Sequence, residues 1–311
     1  MDPLLVLFGL GVGVLVGTTG MGGGSLMTPL LIIVFGVKPV VAIGTDLAYA
    51  AVTKTVGAWR HLRKGTVFMP LTWWMATGSI PGALGGVVVL EWLHGIYGAS
   101  FDNALLIAIA GALLLTAAAV LARALLLPDA AASEREGLDL DPRHKAAAVA
   151  TGLIVGFVLG ATSAGSGALI AVALIMIFRL TPVRVVGTDV FHAAILLWVA
   201  AAAHLFSGNV DVPLALNILV GSVPGVWIGA GLASQLRSDT LRIALGVVLV
   251  ASSLGLLSKA DIGIPAWLLL AVPAALGLIA FLLHTLRDRK SPPPTVRAAA
   301  STPPRPTESA S

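Results

Sequence analysis

The sequence repeats itself at a fixed distance of 143 residues, the separation between Gly13 and Gly156. Glycine, proline, threonine, aspartate and histidine residues of the first half recur in the second half without a gap. The first-half residues that recur are Gly13, Gly17, Thr19, Gly22, Gly24, Pro39, Gly44, Thr45, Asp46, His61, Gly65, Pro70, Gly78 and Ser79. Chance similarity between glycine-rich segments does not produce polar and proline matches at one offset. We infer that the halves are copies of one unit, and the fold has to contain that unit twice.

The solvent of most of this chain is lipid. Of the 311 residues, 57% are hydrophobic and 11% are charged, and the mean hydropathy is +0.97. A soluble domain carries about 25% charged residues. Apolar stretches recur along the chain and match membrane spans of about 20 residues each. We therefore expect an all-α, polytopic membrane protein in contact with the lipid bilayer.

Residue usage also excludes several functions. The chain has no cysteine, which excludes disulfides, thiolate catalysis and cysteine metal sites. The net charge of +4 does not indicate a nucleic-acid partner, because the basic residues lie at the ends of apolar segments. We expect no metal, no cofactor and no nucleic acid.

Polar breaks divide the chain into five regions. The linker is polar, and the tail is rich in Pro, Ser, Thr and Ala, which is typical of disorder. We predict a first transmembrane repeat over 4–127, a cytoplasmic linker over 128–145, a second repeat over 146–257, an extra C-terminal transmembrane helix over 264–286 and a disordered cytoplasmic tail over 287–311.

The first segment of each repeat is too long for one crossing. Residues 4–36 would extend about 50 Å as a single helix, whereas the hydrocarbon core is about 30 Å thick. Residues 18–25 and 161–167, called the glycine tips below, interrupt these segments with glycine and hydroxyl side chains. Such a break is tolerated only where protein or a water-filled cavity satisfies the backbone. We predict two short helices on either side of each tip, forming a hairpin that either crosses the membrane or re-enters.

The charges predict the orientation of the halves. Basic residues place the 60–64 loop, the linker, the 179–184 loop and the C-terminus in the cytoplasm, and they leave the 207–211 loop outside. Both ends of the 146–178 segment are then cytoplasmic, and the repeats have opposite orientation. This is the plan of secondary transporters that place a site at broken helices near the midplane.

The glycine tips are the predicted substrate site. Backbone N–H groups at helix N-termini and in glycine turns bind oxyanions, and hydroxyls add donors. Close packing is the alternative, although it explains the glycines and not the hydroxyls. The predicted substrate-binding residues are Thr18, Thr19, Gly22, Gly23, Gly24, Ser25, Thr162, Ser163, Gly165, Ser166, Gly167 and Lys54.

Lys54 has two interpretations. It attracts the substrate anion or forms an internal ion pair, or else it snorkels to the inner interface near Arg60. A direct pair with Asp46 is strained, because the two lie about 12 Å apart along the helix.

Four further residues are candidates for ion coupling. Asp46 and Asp189 are equivalent acids inside predicted spans, where ionisable groups normally face a cavity or a partner. His192 lies three residues after Asp189 on the same face, and Tyr49 is its equivalent, so a proton relay is possible. The alternatives are an interfacial capping role for the acids and a hydrogen-bonded core role for His192.

The ordered set of motifs resembles the TauE/SafE sulfite exporter family. Gly17-Thr18-Thr19-Gly20-Met21-Gly22-Gly23-Gly24, then Pro39, Gly44-Thr45, His61 and Gly65 carry the resemblance, together with their copies in the second half. It implies a secondary transporter in the bacterial inner membrane that exports sulfite, sulfonates such as sulfoacetate, or related anions, coupled to H⁺ or Na⁺. A passive anion channel and an intramembrane hydrolase using Asp46 and Asp189 are the alternatives, and the oligomeric state is open.

Overall fold

The computed structural model describes residues 2–19, 24–125, 140–165, 167–233 and 238–290. These residues form α-helices joined by short turns, so the all-α prediction is confirmed. The helices are α1 (Pro3–Thr19), α2 (Gly24–Phe35), α3 (Pro39–Arg63), α4 (Met69–Tyr97), α5 (Phe101–Leu125), α6 (Pro142–Thr162), α7 (Ala168–Met176), α8 (Pro182–Phe206), α9 (Val212–Ala233), α10 (Ser238–Lys259) and α11 (Ala266–Lys290), with a 3-10 turn at Gly98–Ser100.

Six of these helices are long and apolar enough to cross a membrane, namely α4, α5, α6, α8, α9 and α10. Many large apolar side chains point outward, and Trp92, Trp227 and Trp267 are all more than half exposed. A soluble protein does not present such a surface, because extended exposed apolar patches associate in water. The prediction of a multi-pass membrane protein is confirmed.

The two broken segments have unequal arms. α1 has 17 residues and α2 has 12, whereas α6 has 21 and α7 has 9. α7 is therefore about 13 Å long, less than half the thickness of the hydrocarbon core. Both segments are divided at their glycine tips as predicted, although residues 20–23 of the first tip lie outside the described residues. The inverted orientation and the domain boundaries stay predictions.

Helices from opposite halves pair in an equivalent way. α1 packs along α9, and α6, the equivalent of α1, packs along α4, the equivalent of α9; α3 pairs with α8, and α5 with α10. Two contacts join a residue to its own copy. Trp198 Nε1 donates to Thr55 Oγ1 at 2.8 Å, and Ser253 Oγ donates to the Ala110 carbonyl at 2.9 Å. Equivalent residues meet only near a twofold axis, so a pseudo-twofold axis passes through these contacts.

Glycines bring the backbones of the paired helices into direct contact. A Cβ on Gly221 would lie 1.8 Å from the Val6 carbonyl oxygen, and a Cβ on its equivalent Gly78 would lie 2.0 Å from the Val149 carbonyl oxygen. Val149 is in turn the copy of Val6. Small residues allow such approach in lipid, where no hydrophobic force draws helices together. The α1–α9 and α4–α6 interfaces are therefore two copies of one glycine interface.

Candidate functional site

The buried carboxylate of Asp46 joins the two broken segments. Asp46 lies in the second turn of α3 with no exposed surface. Its Oδ2 accepts hydrogen bonds from the Thr28 hydroxyl at 2.7 Å and the Ser163 hydroxyl at 2.5 Å, with the Thr28 N–H at 3.3 Å. Thr28 belongs to α2, and Ser163 belongs to the second glycine tip. Segments from both halves therefore meet on one side chain.

The end of α6 explains how Ser163 reaches Asp46. Ser163 has the left-handed φ of 60°, and its N–H donates to the Leu159 carbonyl at 2.7 Å, which closes the last turn. The carbonyls of the last helical turn carry partial negative charge. Together with the Asp46 carboxylate, they create a negative potential at the point where α6 breaks. Half-helix C-termini of this kind coordinate cations in secondary transporters.

Lys54 forms an ion pair with Asp189 of the opposite half. Lys54 Nζ lies 4.0 Å from Asp189 Oδ2, and the two side chains are only 5% and 10% exposed. The Lys54 side chain therefore points into the α3–α8 interface and does not snorkel. The separation exceeds hydrogen-bond length, so the contact is ionic. An ion pair in this setting neutralises two charges that would otherwise be very costly inside a membrane.

Tyr49 and His192 occupy equivalent positions near equivalent serines. His192 Nε2 and Ser79 Oγ share a hydrogen bond of 2.9 Å, and both residues are fully buried. Tyr49, the copy of His192, lies near Ser222, the copy of Ser79. The structure therefore has two polar clusters related by the pseudo-twofold axis. We call them the first cluster (Thr28, Asp46, Tyr49, Ser163, Ser222) and the second cluster (Lys54, Ser79, Asp189, His192).

The clusters differ at the carboxylates. In the first cluster, Asp46 receives hydroxyls from Thr28 and Ser163. In the repeat, Thr28 corresponds to Ala171 and Ser163 corresponds to Gly20, and neither Ala171 nor Gly20 has a hydroxyl. The second cluster contains the Lys54 ammonium, and the position equivalent to Lys54 is Leu197. Both halves thus contain the carboxylate, but the residues around it differ between the halves.

The hydroxyls of Thr18 and Thr162 in the glycine tips, which were predicted to bind the substrate, donate to carbonyls of the protein instead. The Thr18 hydroxyl donates to the Leu15 carbonyl at 2.9 Å, and the Thr162 hydroxyl donates to the Val158 carbonyl at 2.7 Å, so both protons are used within their own helices. Gly165 and Gly167 are buried beside the start of α7. Gly22, Gly23 and Ser166 lie outside the described residues, as do the side chains of Thr19 and Ser25, and Gly24 begins α2.

Three residues of the clusters escaped the sequence analysis. Thr28 lies three residues beyond the first tip and reads as part of an apolar helix. Ser79 and Ser222 served in the sequence analysis only as matching positions of the repeat. Their recurrence as a polar pair inside apolar helices was the signal that could have marked them as site residues. Thr28 has no hydroxyl equivalent, so no repeat signal marks it.

Comparison with known proteins identifies the family of this chain. The sequence model described as Sulfite exporter TauE/SafE matches residues 5–256, which contain both halves and both clusters. The chain belongs to the TauE/SafE family. This confirms the resemblance seen in the glycine tips and the Gly-Thr motifs.

Relatives of this TauE/SafE protein carry names of the same kind. It is 36% identical to the "Probable membrane transporter protein YjnA" of Bacillus subtilis over 257 residues, covering 83% of this chain and 100% of that one. It is 28% identical to the "Probable membrane transporter protein YdhB" of the same organism, covering 78% and 94%. A relative from Xylella fastidiosa, "Probable membrane transporter protein", is 26% identical over 81% of this chain and 94% of its own. No solved structure matches.

The clusters of this TauE/SafE protein contain few groups of the kind that hold a multivalent metal ion. Within the described part of the chain, no group of three or more His, Cys, Asp or Glu side chains could hold a metal ion. The polar groups comprise one buried ammonium, two buried carboxylates, a histidine and several hydroxyls. Such groups can exchange a proton or a monovalent cation and can attract a small anion. The protein is accordingly a membrane transporter whose polar interior lies between its two halves.

Proposed function

We propose that this protein is a secondary transporter of small sulfur-containing anions, namely sulfite, sulfonates such as sulfoacetate, or related oxyanions, and that it exports them in exchange for or together with H⁺ or Na⁺. The observation that carries the proposal is the buried Lys54–Asp189 ion pair at the α3–α8 interface. Ionisable residues inside membrane proteins mark ion and substrate pathways.

The second cluster supplies the anion site. An incoming anion can bind Lys54 while Asp189 stays beside it, because their 4.0 Å contact is ionic and the buried Lys54 ammonium makes no hydrogen bond among the described residues. Ser79 and His192 then offer hydrogen bonds to its oxygens. An oxyanion entering this apolar interior loses its hydration, so each lost hydrogen bond has to be replaced by such donors. The Lys54 ammonium adds the attraction that a neutral site lacks.

The first cluster supplies the coupling ion. Asp46 presents a buried carboxylate beside the C-terminal carbonyls of α6, and both features favour a cation. A cation bound there changes the charge at the junction of both broken segments. Binding of the coupling ion and of the anion is therefore linked through α3, which carries both Asp46 and Lys54.

The hydrolase alternative is disfavoured by the surroundings of the acids. A carboxylate dyad works by sharing a proton between two closely opposed acids. Here Asp46 accepts hydroxyl hydrogen bonds while Asp189 faces an ammonium, so each acid has a partner of its own. The names of the relatives also point to transport.

The charges of the sequence support an orientation in the membrane, and the family description supports a direction of transport. We propose that the two repeats are inverted, that the C-terminal basic residues beyond 286 lie in the cytoplasm, and that the host membrane is the bacterial inner membrane. The family description of a sulfite exporter supports outward movement of the anion.

The test is a flux assay on the full chain in proteoliposomes. Radiolabelled sulfite, sulfoacetate and sulfate are offered with and without pH or Na⁺ gradients. Accumulation above the equilibrium level that follows an imposed cation gradient supports the proposal. Flux that ignores every cation gradient indicates a channel, and no flux of any of these anions refutes the proposal. Lys54→Ala is compared with Lys64→Ala, which removes the same charge from an exposed position.

A further inference from the structure

The two carboxylates of the pseudo-symmetric clusters are neutralised in different ways. Asp46 faces hydroxyls and a helix C-terminus, whereas Asp189 faces the Lys54 ammonium. We infer, on the basis of the proposed function, that the protein has a single site for a monovalent coupling cation, at Asp46. At Asp189, the equivalent position is occupied by Lys54, which acts as a tethered cation. The exchangeable ligand is H⁺ or Na⁺.

The geometry at Asp46 leaves one carboxylate oxygen available to such a ligand. All three hydrogen bonds reach Oδ2, and Oδ1 is buried without a hydrogen-bond partner among the described residues. Tyr49, three residues further along the same face of α3, has a buried hydroxyl near Ser222. A buried carboxylate that no ammonium faces requires a proton or a cation for its charge to be tolerated in a bilayer. Among the described residues Asp46 is such a carboxylate, whereas Asp189 faces Lys54.

The geometry at Asp189 explains why that site is already filled. Lys54 extends from α3 across the interface to α8, and its ammonium group cannot diffuse away because it is covalently attached. The copy of Lys54 is Leu197, which is fully buried and carries no charge. The first cluster therefore has no tethered cation, and a free one has to take its place. The asymmetry predicts one exchangeable cation per chain, although two equivalent acids are present.

Few other titratable groups face Asp46. Among the helices that pack against α3, α2 and α9 contain no ionisable side chain. The ionisable side chains of α5 lie only in its first and last turns. The ionisable residues on α3 and α8 near the two clusters are Asp46, Tyr49, Lys54, Asp189, His192 and His204, whose Nε2 shares a 2.9 Å hydrogen bond with the Gly160 carbonyl in the last turn of α6. A pH dependence of cation binding accordingly reports on this set. Within it, Asp46 is the carboxylate that the Thr28 and Ser163 hydroxyls reach, and Asp189 is the one that the Lys54 ammonium faces.

The experiment measures cation binding on the purified full chain, without substrate. Equilibrium binding of ²²Na⁺ is recorded at alkaline pH, and infrared pH titration reports protonation of a buried carboxylic acid. Wild type should give a signal in the sodium assay or in the proton assay. We expect Asp46→Asn to reduce that signal to background. Asp261→Asn is the matched control, because Asp261 is exposed in a turn at φ 57°, which asparagine also adopts. It should bind as wild type does.

The decisive variant is Lys54→Leu, which installs the residue found at the equivalent position. We expect it to double the number of cations bound per chain, because Asp189 then requires a free cation. The double variant Lys54→Leu/Asp189→Asn removes both charges and preserves neutrality, so it keeps the test open if the single variant fails to fold. It should return to the wild-type stoichiometry, with binding still dependent on Asp46.

Specific outcomes overturn the inference. Cation binding that survives Asp46→Asn, or that disappears in the double variant, places the site elsewhere. A well-folded Lys54→Leu protein that binds no more cation than wild type contradicts the tethered-cation role. Because these assays contain no substrate, they are independent of the anion flux assay. A protein that moves no sulfur anion yet passes these tests refutes the proposed function alone, and an active transporter that fails them refutes only this inference.

Discussion

The glycine interfaces allow a stability prediction with matched controls on the same chain. In Gly221→Ala, the new Cβ would lie 1.8 Å from the Val6 carbonyl oxygen and 2.8 Å from the Leu10 nitrogen. Both are backbone atoms, so no rotamer change relieves the clash. Since ordinary contact begins near 3.4 Å, α1 and α9 have to move apart by about 1.5 Å at this point. Overpacking of this kind costs about 1–3 kcal/mol.

The sign of the effect should reverse at glycines with open space. A Cβ on Gly11 of α1, or on Gly111 of α5, meets nothing within 4 Å. Alanine is a better helix former than glycine by about 1 kcal/mol in soluble hosts. We therefore expect Gly11→Ala and Gly111→Ala to leave the melting temperature unchanged or raise it. Gly221→Ala and its copy Gly78→Ala should lower it by similar amounts.

The measurement is thermal unfolding of the purified protein in detergent, followed by size-exclusion chromatography of heated samples. Equal melting temperatures for Gly221→Ala and Gly11→Ala would refute the α1–α9 backbone contact. A large loss in Gly221→Ala with none in Gly78→Ala would refute the equivalence of the two interfaces, because both glycines meet copies of the same carbonyl.

Four further predictions concern function and topology. Lys54→Ala should weaken anion flux strongly, because it removes the ammonium of the anion site and the ion-pair partner of Asp189, and Lys54→Glu should abolish flux, because a carboxylate there faces Asp189 at ion-pair distance; wild-type flux in both would exclude Lys54 from substrate handling. Leu197→Lys should abolish cation binding, since pseudo-symmetry carries its ammonium to Asp46, and unchanged ²²Na⁺ or proton binding would contradict this. Gly165→Val should abolish flux in an inserted protein, because Gly165 has φ +94° and its Cβ would lie 2.7 Å from Leu169; normal substrate affinity would show that the tip only packs. Single cysteines on this cysteine-free chain should label from the cytoplasm near residue 179 and from outside near residue 208, and periplasmic labelling at Arg179 would contradict the inverted arrangement.

Much of the fold could be predicted because its causes are local. A run of glycines with hydroxyl residues favours a break in an apolar segment, so a division between α6 and α7 at residues 161–167 followed from composition. Prolines at the starts of α3 and α8 marked helix beginnings, since proline lacks the N–H that a first turn does not use. The position of the α6 break could not be predicted as closely. It depends on the left-handed Ser163, whose side chain is held by Asp46.

The site could be predicted only in part, because its contacts cross the interface between the halves. Asp46, Asp189 and Lys54 stood out as charges in apolar helices. From the sequence, a distance between charged residues could be estimated only along one helix, and that estimate concerned Lys54 and Asp46 on α3. The actual pair joins Lys54 to Asp189 on α8, which no local pattern reveals. Thr28 and Ser163 were likewise joined to Asp46 by tertiary packing and not by spacing.

Duplication constrains the backbone and the side chains of this protein to different degrees. A glycine in backbone contact cannot change without moving two helices, so Gly78 and Gly221 have to stay alike. A side chain facing the interior can change if its partner accepts the new charge or shape. Tyr49 and His192, or Leu197 and Lys54, are such pairs of copies that no longer match. Two identical carboxylate sites would each require a free cation on every cycle. With Lys54 attached beside Asp189, the second half meets that requirement permanently, and the exchange of ions is left to Asp46 alone.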